Sequence, residues 1–277
     1  MFFFKKECSR KTAWRGLPFV SLKKNFHSVH TKEDTRVFRP FLLYLNTQAV
    51  PFSSLSIRKA LGLVIDRQKI ISNCFQHCEP LLSIFSANPI SKPDLNLKEG
   101  QIRFATGLKE LNMKKEKFPP IVFSYCKLPE EHALALYLKT TWEQAFGIQV
   151  VLRKHDWNKL CQQVEQGRAH ATGFFSSALT VSPFSFFYPF CRKETNLSQW
   201  ESIRYVNKFC AAKREKSLAK RKRKLEELEK LLLEQAPIIP LVKRKYLYQP
   251  DPRLKNYVVD LQGAVDFRFA SIQNKPD

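Results

Sequence analysis

The chain has 277 residues, is 44% hydrophobic and 13% aromatic, and carries a formal net charge of +22 with an isoelectric point near 9.8. That apolar content excludes wholesale disorder, and no apolar run approaches the ~18 residues of a membrane span. There are only eight glycines; with no Gly-rich phosphate loop, no Gly-x-Ser-x-Gly and no metal-spaced carboxylate and histidine set, the sequence does not read as an enzyme.

The charge favours anionic partners, yet it is dispersed. Residues 1–40 hold ten Lys/Arg against three acids, and residues 213–234 hold nine against five. The seven cysteines (Cys8, Cys74, Cys78, Cys126, Cys161, Cys191 and Cys210) are odd in number and irregular in spacing, so no disulfide framework is implied. Cys74, His77 and Cys78 lack a second Cys/His pair at zinc-finger spacing. They read as a helix end with buried thiols, and no cofactor is expected.

Residues 1–37 are basic, have no secretory h-region and stand outside the fold. FRPFLLYLNT (38–47) is short and apolar enough for a buried strand. SIRKALGLVIDRQKIISNCF (56–75) predicts two short helices or one bent one, with Ser54 as N-cap. Residues 80–100, with Pro80, Pro89 and Pro93, read as a long loop, and ATGLKELNM (105–113) as a short amphipathic helix. PPIVFSYCK (119–127) predicts a strand. Pro129 opens a helix that Gly147 ends, and GIQVVLRKH (147–155) alternates as a strand. Asp156 caps a helix over 157–167, and AHATGFFSSAL (169–179) returns as a strand. Residues 119–179 thus read β-α-β-α-β, an α/β layer.

Pro183 and Pro189 bracket an aromatic segment. Two helices follow, near 201–212 and 215–235. The basic run KREKSLAKRKRKLEELEK begins the second. Two readings compete: a nucleic-acid-binding arm, or the solvated face of a helix docked by a stripe of Leu218, Leu225, Leu228 and Leu232. The stripe favours the second. Lys222–Glu226, Glu226–Lys230 and Arg223–Glu227 are expected as helix-surface pairs.

Several segments share one resemblance. Asn46, Pro51, Phe52, Arg58, Ala60, Leu61, Ile65, Asp66 and Arg67 form a strand ending in Asn, a Pro-Phe turn and an R-x-A-L-x-x-x-I-D-R helix. Trp142, Gly147, Ile148, Val150, Leu152 and Trp157 form a helix with a tryptophan, a Gly-Ile strand and a second tryptophan. LLLEQAPIIPLVKRKY (231–246) and VDFRFASI (265–272) follow in order. Together they resemble the solute-binding proteins of peptide and oligopeptide ABC transporters, extracytoplasmic solute-binding family 5, over residues 38–272.

The resemblance implies an α/β fold: a periplasmic-binding-protein-like (type II) C-terminal lobe, a mixed sheet flanked by helices, with the N-terminal lobe missing. Its divisions are a poorly structured basic segment 1–37, the lobe 38–236, and strands in 237–277 that return toward the missing lobe. It implies a truncated or split binding protein, weak or lost peptide binding, and a periplasmic or cell-envelope location, although a fragment without a visible signal peptide would stay cytoplasmic. The implied partners are oligopeptides, ABC permease subunits in the membrane and a separately encoded N-terminal lobe; no specific nucleic acid is expected.

The ligand-binding set it implies is Tyr125, His132, Gly173, Phe174, Phe175, Ser176, Ser177 and Leu179. His132 falls near the histidine that meets a peptide carboxylate in some members, at a helix N-terminus that favours anions. Leu179 stands where an aspartate would pair with the peptide ammonium, Ser176 where an aromatic is common, and Gly173 where some members carry arginine. At least one of Phe174 and Phe175 is expected in the sheet core. No acid occurs between Glu165 and Glu194, so a shift of register does not restore the aspartate.

Overall fold

The computed structural model describes residues 32–33, 39–85, 95–176, 182–245, 247–248, 253–259 and 265–273. The chain divides into two compact units: Arg39–Arg244, and Met1–Phe38 with Lys245–Asp277.

In chain order the elements are β1 (Lys32–Glu33), β2 (Arg39–Leu45), α1 (Leu55–Leu63), α2 (Arg67–Asn73), β3 (Cys78–Pro80), α3 (Leu97–Glu110) and β4 (Ile121–Cys126). Then come α4 (Pro129–Phe146), β5 (Val150–His155), α5 (Trp157–Glu165), β6 (Ala171–Phe175), α6 (Pro183–Phe187), α7 (Ile203–Arg214), α8 (Leu218–Gln235) and β7 (Ile238–Arg244). Five two-residue strands finish the chain: β8 (Leu247–Tyr248), β9 (Leu254–Lys255), β10 (Val258–Val259), β11 (Val265–Asp266) and β12 (Ser271–Ile272). In their unit, β1 pairs with β8, β10 with β11 and β12 with β9, all antiparallel. The expected closing strand over 265–272 is therefore two short strands, β11 and β12, parted by a turn.

The larger unit is a mixed α/β lobe built on one six-stranded sheet in the order β3-β7-β2-β6-β4-β5. The predicted β-α-β-α-β run forms its parallel half: β4 lies between β6 and β5 and is parallel to both. β2 is antiparallel to β6 on one side and to β7 on the other. Because side chains alternate across a sheet, Phe41, Leu43 and Leu45 face the larger core with Ile121, Phe123 and Tyr125, under α1, α2 and α4. On the opposite face Cys126 packs with Leu160, Val164 and Ala169 beneath α5.

The residues that carry the resemblance hold this lobe together. Arg58 is buried in α1 and donates from Nη1 to the Phe52 carbonyl at 2.5 Å and from Nη2 to the Gln235 carbonyl at 2.7 Å. Burial lowers its pKa to about 10. Arg67, also buried, donates from Nε (3.0 Å) and Nη2 (2.8 Å) to the carbonyl of Pro240, beyond the point where β3 stops pairing with β7. The two guanidiniums thus clamp the end of α8 and the middle of β7. Asp66 caps α2 through the amides of Gln68 and Lys69. Asn46 reaches the Gly167 carbonyl at 3.0 Å, and the fully buried Trp142 donates to the Leu61 carbonyl at 3.2 Å.

Several expectations need correction. The loop expected over 80–100 contains the start of α3, which runs from Leu97, so the helix expected at 105–113 is its second half. Gly107 of α3 lets it approach α1: a Cβ there would lie 2.6 Å from Ile57 Cγ1. The Ser54 cap holds, through the Ile57 amide, whereas Asp156 makes no side-chain cap and instead pairs with Lys127 at 2.5 Å. In α8 the docked residues are Leu225, Leu228, Leu231 and Leu232; Leu218 is 78% exposed. Glu227 pairs with Lys208 rather than Arg223, and Lys230 with Glu234 rather than Glu226. Residues 177–179 of the last predicted strand lie outside the described residues.

Replacing a buried, fully engaged guanidinium strands several carbonyls, each costing about 1–3 kcal/mol. Arg58→Met is expected to destabilise the lobe by about 3 kcal/mol in urea denaturation, with Arg58→Lys intermediate. An unchanged midpoint in Arg58→Met would show that the clamp contributes nothing.

Candidate functional site at the carboxyl edge of the sheet

β4, β5, β6 and β7 all end at one edge, where β2 and β3 begin; their registers align Arg39 with Arg244, Cys78 with Arg244 and Phe41 with Phe175. The helices α4 and α5 start there, after β4 and β5. In open α/β sheets ligands settle outside the carboxyl ends of the strands, and this edge brings together Tyr125, His132 and Phe175 of the predicted residues.

Tyr125, at the end of β4, is buried to 3% exposure, and burial raises its pKa. Its hydroxyl lies 2.7 Å from Nδ1 of His132, in the first turn of α4, with the two rings near parallel at 5.7 Å. Phe175, at the end of β6, is half-buried and meets Phe41 and Phe75 edge-on at 5.0 and 5.1 Å. The Arg244 guanidinium lies over the Phe175 ring, 4.0 Å from its centre, and pairs with Glu130 at the start of α4. A cation over an aromatic face is attracted by the ring quadrupole. Arg244 thus spans the mouth of the sheet from β7 to α4.

Beneath it, Glu131 is buried and accepts the Cys126 amide at 3.0 Å. Desolvation, helped by neighbouring Glu130 and opposed by the Cys126 amide and Arg244, raises its carboxyl from 4.5 to about 7. Burial likewise raises the Cys78 thiol, although Arg244 draws it down.

The other predicted residues sit differently. Phe174 points to the opposite face, buried, stacked on Tyr44 at 5.1 Å and edge-on to Trp157 at 5.8 Å. Phe174 is therefore the core aromatic of the pair, and Phe175 the one at the edge. Gly173 is buried beneath Phe41, whose Cε1 would lie 2.6 Å from a Cβ there. The Ser176 amide donates to the Pro40 carbonyl at 2.8 Å, and its side chain meets the Tyr44 hydroxyl. Ser177 and Leu179 lie outside the described residues. Arg244, Glu131 and Phe75 were not predicted. A Glu-Glu pair at a helix start was visible, but Arg244 joins the site only through the strand order.

A pocket of about 220 Å³ lies at the other end of the sheet, lined by Val164, Glu165, Lys193, Glu194, Asn196, Leu197 and Gln199. It holds none of the predicted residues and is smaller than the ~300–1,000 Å³ usual for small-molecule pockets. Among the described residues, no cluster of His, Cys, Asp and Glu is arranged to hold a metal, and no helix is long and apolar enough to cross a membrane.

A mixed sheet with helices on both faces and polar groups converging on its carboxyl edge is one lobe of the periplasmic-binding-protein class. Residues 13–198 match the family described as bacterial extracellular solute-binding proteins, family 5 middle, and the chain belongs to that family. It is 27% identical to the oligopeptide-binding protein OppA of Bacillus subtilis over 93% of this chain and 50% of the relative. It is 25% identical to the dipeptide-binding protein DppE of the same organism, over 81% and 44%. The Escherichia coli murein tripeptide-binding protein MppA superposes with a TM-score of 0.75 at 19% identity, covering 88% of this chain and 49% of that one. The chain spans about half the length of the curated relatives it matches. The family is one of binding proteins rather than enzymes.

Two outcomes follow from this geometry. Glu131 holds a proton in the folded chain between pH 4.5 and about 7 that the unfolded chain has released. Its stabilising contribution is therefore complete below pH 4.5, falls through that window and is lost above about 7. Glu131→Gln mimics the protonated form, so urea denaturation should show the variant close to wild type at low pH and about 1–3 kcal/mol more stable at high pH. A difference that does not vary with pH would contradict the assignment. Separately, Gly173→Ala should destabilise by about 1–3 kcal/mol through contact with Phe41, and by clearly less in a Phe41→Leu background; equal losses in both backgrounds would remove Phe41 as the cause.

Proposed function

We propose that this chain is a peptide-binding component of an ABC transporter, capturing oligopeptides at the carboxyl edge of its sheet. The observation that carries the reading is the convergence of the Tyr125–His132 pair with the Arg244–Phe175 shelf on one edge. Family membership supplies the chemical class, because OppA and DppE are named for oligopeptides and dipeptides. In this reading Tyr125, His132, Phe175 and Ser176 meet the ligand, with His132 toward a peptide carboxylate. Gly173 and Phe174 support the edge from behind.

The grip is weak. No carboxylate occurs from residue 166 to 193 to meet a peptide ammonium, and one edge covers only one side of an extended ligand. A second lobe completes the cleft, and permease subunits receive the peptide at the cell envelope. The chain performs no chemistry on its ligand. The basic run of α8 is not a nucleic-acid arm in this reading, because the helix is docked through Leu225, Leu228, Leu231 and Leu232 and two of its cations are engaged by Glu215.

The test is saturation-transfer NMR of the full chain with a mixed library of short peptides. Binding with a dissociation constant on the order of 1 mM is expected, reduced about fivefold or more by Tyr125→Phe combined with His132→Ala. No transfer to any peptide at about 10 mM would overturn the proposal.

A further inference from the structure

The corner between α7 and α8 is not used by the peptide site, and its charge is not needed by the fold. Residues 213–224 contain eight Lys/Arg and one acid, Glu215. Two of the eight are structural. Arg221 donates to the Glu215 carbonyl from Nε (2.9 Å) and Nη2 (2.6 Å), and Lys224 pairs with the Glu215 carboxylate at 2.7 Å. These contacts fix the connector 215–217 between the helices.

The other six, Lys213, Arg214, Lys216, Lys220, Lys222 and Arg223, are exposed, and among the described residues none of them forms an ion pair. Cations suit the last turn of α7, but Lys220–Lys224 occupy the first two turns of α8, where they oppose the helix macrodipole and repel one another at i,i+3 and i,i+4. No acidic residue offsets them in that first turn.

Leu218 sits among these charges. It lies on the same stripe as Leu225, yet it is 78% exposed. Ala219 beside it is exposed as well. A fixed corner with six exposed cations around one projecting leucine matches an anionic bilayer surface: the cations reach lipid phosphates and the leucine reaches the acyl boundary. No aromatic occurs in 213–224 on which a nucleic-acid base would stack.

We infer that the α7–α8 corner is a membrane-surface contact for anionic phospholipid headgroups. It is separate from the peptide edge and does not depend on it.

The experiment is co-sedimentation of the full chain with vesicles of phosphatidylcholine alone or with about 30 mol% phosphatidylglycerol, at about 0.1 M salt. Binding to the anionic vesicles alone is expected. The variant K220Q/K222Q/R223Q should lose about a hundredfold in partitioning. K114Q/K115Q/K117Q removes the same charge from another exposed segment and should lose less than about threefold. Circular dichroism confirms that both variants fold. Leu218→Ser should weaken binding further at about 0.5 M salt, where screening leaves the apolar contact dominant. Equal losses in the two triple variants would show that dispersed charge alone is responsible and overturn the inference. So would retained binding in K220Q/K222Q/R223Q, or duplex DNA held more tightly than the vesicles with no effect of Leu218→Ser.

Discussion

The lobe depends on one strand paired antiparallel on both sides. β2 forms a ladder with β6 along one edge and with β7 along the other, and Phe41–Leu45 are all buried. It is the seam between a locally connected parallel half, β6-β4-β5, and a half assembled from distant sequence, β7-β3. The bulge between Phe41 and Leu42 falls opposite Pro240, which has no amide to give to the ladder. β2 also brings Phe41 over Gly173, against Phe75 and Phe175. The carboxyl edge of the sheet therefore inherits its shape from the packing of β2.

Two buried arginines keep that arrangement from coming apart at β7. Arg58 and Arg67 send charge-assisted hydrogen bonds to main-chain carbonyls of residues about 175 positions away in sequence. The pattern that ties this chain to its family is thus largely structural: a strand-ending Asn that holds a turn, an aspartate that caps a helix, and arginines that hold α8 and β7. The residues facing the edge are a separate set. The fold signature and the carboxyl edge are thus carried by different residues of the same lobe.

What could be read from the sequence follows the range of the interactions. The β4–α4–β5–α5–β6 run was legible because each element carries its own period and its own stop signal, such as Gly147. The first half of α3 was not: only Gly100, Phe104 and Gly107 of the helix are buried, so its stripe is mostly glycine, while Leu97 and Ile102 face solvent. β3 is three residues long and ends in proline, and it is a strand only because β7 lies beside it. Leu218 fits the leucine stripe of α8 by spacing, yet it is 78% exposed, which spacing alone does not reveal. At the edge, Tyr125 and His132 came from the family resemblance, and their contact is local, across seven residues. Arg244 and Glu131 were not, because their proximity follows from the strand order.

If ligand contact belongs to the carboxyl edge and the family motif to the scaffold, amide chemical-shift mapping with a short peptide will show shifts concentrated at Tyr125, Glu131, His132, Phe175, Ser176 and Arg244. Arg58, Arg67 and the 193–199 pocket will stay silent. Shifts concentrated at that pocket, with the edge unmoved, would overturn this division.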